Sequence, residues 1–111
     1  MALSPAATAP ESGPLQILQR QAWPSPWNGA SPGYVSVKLA GSCDDLELKV
    51  YSNAMVCVGV RDAGPRPAGW TAILLPDAME NGVANGLYYY KVVARRGGSA
   101  VKAVGRMVVM R

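Results

Sequence analysis

Few side chains in this chain have the type and spacing to do covalent chemistry. Histidine is absent, which removes the commonest general base and the commonest metal ligand together. Ser99 and Lys102 spell the Ser-x-x-Lys spacing of serine acyl-transfer enzymes, but those enzymes hold the pair on a helix, where the amine reaches the hydroxyl. Here the pair opens a strand-like stretch, and positions three apart on a strand point to opposite faces. Asp44, Asp45 and Glu47 are oxygen donors of the kind that gather round calcium; at the start of a strand they read more simply as a solvated border, as do Asp77 and Glu80. Cys43 and Cys57 form no Cys-x-x-Cys pair and are too few for a zinc site. A disulfide between them stays open, although the two are not directly opposed on the hairpin drawn below. The glycine-rich run Asn81–Gly86 lacks the Lys-Ser/Thr of a phosphate loop, and no helix follows it. No catalytic, cofactor-binding or metal-ligating residue emerges, and the chain reads as a non-enzymatic protein that needs no cofactor.

What remains is chemistry of contact. Trp23, Trp27, Trp70 and the run Tyr88–Tyr90 have the rings of a sugar-stacking platform, which makes a carbohydrate-binding module one alternative. The competing reading makes them core and sheet-end plugs, because the chain has no Phe and Trp and Tyr must do its packing. Tyr89, on the opposite face from Tyr88 and Tyr90, is the best exposed candidate. The second contact chemistry is charge. The formal net charge is +4, all seven acids lie at or before position 80, and six basic residues follow. Arg95, Arg96, Lys102 and Arg106 therefore offer an alternative binder of nucleic acid or acidic surfaces. No aromatic–basic motif of an RNA-binding module accompanies them, so solvated strand faces and turns are the plainer account and nucleic acid is not the expected partner.

The elements that carry these residues are short. A chain of 111 residues, half of them apolar, is one ordinary domain with enough apolar surface for a packed interior. Residues 1–14 are small, Pro-rich and Ala-rich and read as an extended arm or linker. They have neither the basic start plus apolar run of a signal peptide nor a membrane span. From this, either an export signal has been removed, or the domain is cut from a longer chain, or it stays in the cytoplasm.

Residues 15–111 alternate apolar runs with turn signals. Leu15–Gln19 reads as a short first strand, and Trp23-Pro24-Ser25-Pro26-Trp27 as a rigid extended stretch. Tyr34–Leu39 sends Val35, Val37 and Leu39 inward. Leu46, Leu48 and Val50 alternate with Glu47, Lys49 and Tyr51. Ser52-Asn53 turns the chain, and Val56, Val58 and Val60 return as an antiparallel hairpin. Gly69–Leu75, Leu87–Arg95 and Ala100–Met110 complete about seven strands, with at most one helical turn at Asp77–Glu80. A single sheet would leave one greasy face uncovered, so the expected fold is an all-β antiparallel sandwich of two sheets.

Five stretches in order resemble the Ig-like domain of flagellar hook-capping proteins (the FlgD type) and the similar C-terminal secretion-sorting domains of bacterial proteins. Trp23-Pro24-Ser25-Pro26-Trp27 is similar to the family's aromatic-Pro-Asn-Pro-aromatic opening. Leu46–Tyr51 resembles its alternating strand ending in Tyr. Ala68-Gly69-Trp70 resembles the start of the next strand, and Gly82 through Gly86 to Tyr88 and Tyr90 the glycine-rich loop entering Gly-x-Tyr. Gly105-Arg106-Met107-Val108-Val109 resembles the closing strand. Met55 stands where the family turn has Gly, and Leu75-Pro76 replaces its Trp-Asp/Asn-Gly. The resemblance implies an extracellular or cell-envelope structural module, acting as a sorting or anchoring domain or as a subunit of a surface assembly. Its partners would be proteins, identical subunits among them, and it would act through strand-edge and arm contacts.

Overall fold

The computed structural model describes residues 13–24, 26–29, 32–80 and 83–110. Most of the arm, together with Ser25 and Gly82, lies outside the described residues. Among the described residues seven strands form: β1 (Ile17–Trp23), β2 (Tyr34–Leu39), β3 (Asp45–Tyr51), β4 (Cys57–Asp62), β5 (Gly69–Leu74), β6 (Gly86–Arg96) and β7 (Ser99–Val109). One helical turn, α1 (Asp77–Glu80), separates β5 from β6. No helix among the described residues is long and apolar enough to cross a membrane.

The strands form two antiparallel sheets, ordered β1-β2-β5 and β4-β3-β6-β7. This is an all-β, Ig-like sandwich. β3, β6 and β7 stand as C, F and G do in immunoglobulin constant domains, β1, β2 and β5 as A, B and E, and β4 has joined the second sheet beside β3. The period-two alternation produces the core directly. Val35, Val37 and Leu39 of the first sheet meet Leu46, Leu48, Val50, Tyr88, Tyr90, Val92 and Ala94 of the second, all buried. Trp27, Leu75, Met79, Met107 and Val109 plug the ends. Truncating one of these fully buried aliphatics, Leu48 for example, removes about 2–5 kcal/mol of stability.

Two local readings change. β1 begins at Ile17 and runs to Trp23, because the β2 register continues until Trp23 faces Tyr34. The Trp23–Pro24 peptide is cis. In β4, Gly59 faces Val50 and Arg61 faces Leu48, while Val56 and Val60 stay 61% and 50% exposed. The valine alternation thus does not mark the buried face. A Cβ on Gly59 would stand 2.6 Å from the Pro76 Cβ, so α1 and its approach cover this strand instead of the opposite sheet. Cys43 is buried and Cys57 exposed, both as free thiols; burial pushes the Cys43 thiol up from its ordinary value.

Candidate functional site

The acidic border is already occupied by partners from this chain. Asp44 Oδ2 accepts the Gly97 N–H at 2.8 Å, and Asp45 Oδ2 accepts from Arg95 Nη1 at 3.2 Å. Glu47 lies 3.7 Å from Arg95 Nη2 and 3.9 Å from Lys49 Nζ. Asp45 also shares a hydrogen bond with Asp62, which raises its carboxyl above the ordinary range. The same bond and the Gly64 N–H hold Asp62 below that range. Ser99 and Lys102 pair with Arg96 and Val93 of β6 and project from opposite faces of β7. Sequence spacing brings them together and the strand separates them.

The family-like positions are divided by burial. Trp27, Tyr88, Tyr90 and Met107 are core. Trp27 donates its N–H to Val108 O and accepts from Met110 N–H, stitching the chain entry to β7. Tyr88 donates its hydroxyl to Ala84 O at 2.7 Å. That is the tyrosine corner of Ig-like sandwiches, a ring near the start of strand F tied to backbone a few residues upstream. Gly69 and Gly86 open β5 and β6 with φ of 105° and 147°. Pro24 is half-buried and Pro26 exposed. Tyr51 and Tyr89 are half-buried neighbours on the outer face of the second sheet, with Lys91 Nζ 6.0 Å from the Tyr51 ring centroid.

Trp23 and Trp70, however, are 53% and 57% exposed, so they are not sheet-end plugs. They stand on the outer face of the three-stranded sheet. Trp23, Tyr34 and Leu74 form one row across its three strands, and Gln19, Lys38 and Trp70 form another. Tyr34 and Leu74 were not among the binding candidates. Their signal was the outward phase opposite Val35 and Ile73, legible only once Trp23 is placed in β1.

The basic candidates lie on the second sheet. Arg95 is tied to Asp45 and Glu47, and Arg96 Nη1 donates to Ser42 O at 3.2 Å. Lys102 and Arg106 stand exposed on β7. This strand is the last of its sheet, and β1 of the other sheet packs alongside it without pairing to it. Val108 O accepts from Trp27 N–H and Val104 O from Arg20 Nε at 2.9 Å, so the even-numbered residues of β7 aim their backbone groups away from β6. From Ala100 to Arg106, the Val104 carbonyl apart, this row meets no backbone partner among the described residues. Arg20, Tyr89, Tyr90 and Arg106 line an open groove that wraps round the same edge at Gly105.

The chain matches no protein-family model and no curated protein.

Proposed function

We propose that this domain is a non-enzymatic interaction module that joins an extracellular or cell-envelope assembly through a strand edge. It would serve either as a subunit of a surface assembly or as a sorting or anchoring domain of a larger secreted protein. The setting rests on the resemblance to hook-capping and secretion-sorting Ig-like domains. The mechanism rests on one observation, the open backbone row of β7 from Ala100 to Arg106. An extended segment laid beside it gains main-chain hydrogen bonds that an unpaired edge otherwise gives to water. The donor is the arm of residues 1–14 from a second copy. Gln16–Gln21 is not available for that role, because Ile17–Trp23 already pairs with β2.

Light scattering on three forms tests this reading: the whole chain, the chain lacking residues 1–14, and Lys102→Pro. Proline at 102 removes an N–H from the open edge and none from the β6 ladder, so the fold survives. The whole chain should run as an assembly, and both altered forms should fall to the monomer mass. An equal mass in all three overturns the reading.

A further inference from the structure

We infer that the outer face of the three-stranded sheet is a stacking platform for a neutral oligosaccharide. The inference is independent of the β7 edge, which lies on the other sheet. Trp23 and Trp70, more than half exposed, stand at opposite corners of one face. Trp23, Tyr34 and Leu74 run across the strands at neighbouring positions, and Trp70 lies four residues from Leu74 along β5, about 13 Å away. Between the two rows sit Gln21, Ser36 and Ala72. The face thus alternates ring surface with amide and hydroxyl groups. That is the complement of a pyranose, which offers C–H groups on its faces and hydroxyls at its rim.

Size and charge choose among occupants. Three strands of six or seven residues give a flat footprint of roughly 300 Å² at ordinary strand spacings. A stable protein partner needs about 800 Å² from each side, so even a generous allowance for side-chain relief falls short. A single-stranded nucleic acid would stack on the rings but also needs a cationic track for its phosphates. The cation within these rows is Lys38, whose Nζ lies 6.0 Å from the Trp70 ring centroid, and no carboxylate stands in them. Lys91, Arg95, Lys102 and Arg106 all belong to the other sheet. A small uncharged ligand with apolar faces and many hydroxyls is what this surface fits.

The test is calorimetric titration of the whole chain with cellohexaose, chitohexaose, xylohexaose and maltohexaose, with Trp fluorescence followed in parallel. Saturable binding of at least one of them is expected. Trp23→Ala and Trp70→Ala should each weaken it about tenfold. Both rings are exposed, so unchanged melting curves will show that the variants fold. Lys102→Pro should bind as the unaltered chain does, which separates this inference from the edge reading. Binding of none of the four at millimolar concentration overturns it. So does binding that survives in the double variant, or self-association that disappears when the two tryptophans are replaced.

Discussion

Met55 adopts φ of 64°, in the left-handed region that costs a residue with a Cβ about 1–2 kcal/mol. Its side chain is 63% exposed, so little packing offsets the strain. The Met55 N–H donates to Ser52 O, and the Ser52 N–H donates to Val56 O, which fixes the turn whatever residue stands there. Met55→Gly should therefore raise unfolding stability by about 1 kcal/mol, measured by denaturant melts. The carboxylates at the other end of that hairpin make a second case. Asp45 keeps its proton to higher pH than an ordinary 3.8 carboxyl because it shares a hydrogen bond with Asp62. A raised folded pKa favours the folded state below the unfolded value and loses that advantage as pH rises through the folded one. Asp62 is depressed and works in the opposite sense. In Asp62→Asn the amide NH2 can donate to an ionised Asp45, as the Asp62 carboxylate cannot, and the like charge is gone, so with Arg95 beside it the Asp45 carboxyl should drop below its value in the unaltered chain. Carbon-detected titration of that carboxyl would show it; an unmoved midpoint would mean that the two side chains do not interact.

β6 shows how an element can be legible for the right reason and still hold more than its pattern. The two-residue period puts Tyr88, Tyr90 and Val92 on one face, and all three are buried. The hydroxyl bond from Tyr88 to Ala84 O has no periodic signature, because it depends on how the loop before the strand folds back. Tyr88→Phe should cost about 1 kcal/mol for that bond. Tyr88→Ala should cost about 3–5 kcal/mol for the cavity as well. Gly86→Val should destabilise through backbone strain, since φ of 147° leaves no relaxed place for a β-branched residue. Thermal melts of the three variants check the order, and Phe costing as much as Ala would remove the ring from the core. β2, β3, β5 and β7 were legible on the same ground, because each has a strand partner and a sheet behind it. β1 and β4 were less so. β1 is exposed along most of its length and takes its end from Tyr34 of β2. β4 is covered on its inner side by α1, with Arg61 Nη2 bonded to Leu75 O and Asp77 Oδ1 at 2.9 Å each. Val60 is accordingly left outside, whereas Val58 is half-buried against the core. The exposed Trp23 and Trp70 were hidden for the same reason, since which side of a strand is outside depends on a register set by neighbours distant in sequence.

For the whole molecule, the sandwich separates two kinds of surface. The outer face of the three-stranded sheet is aromatic with a single cation in its rows, whereas the opposite face holds Asp45, Glu47, Lys49, Asp62, Lys91, Arg95, Lys102 and Arg106. A basic C-terminal third therefore does not become a basic patch. β3 and β4 bring acids beside β6, so Arg95 is spent on Asp45 and Glu47. Arg96 turns to Ser42 O, and Lys91 lies near the Tyr51 ring. Lys102 and Arg106 are left without an acidic partner among the described residues. Two cations meeting phosphates should give a plot of log affinity against log salt with a slope of about −2 on duplex DNA. Engagement of all five basic side chains from Lys91 to Arg106 would give about −4.5. Fluorescence anisotropy with a labelled duplex between roughly 50 and 200 mM salt distinguishes the two. The shallow slope is expected, with weak affinity, because Arg95 would first have to break its ion pairs and Arg96 its hydrogen bond, and Lys91 would have to leave the Tyr51 ring. A slope near the steep value would show that the acids of β3 release Arg95 on contact, and that this face is a nucleic-acid surface after all.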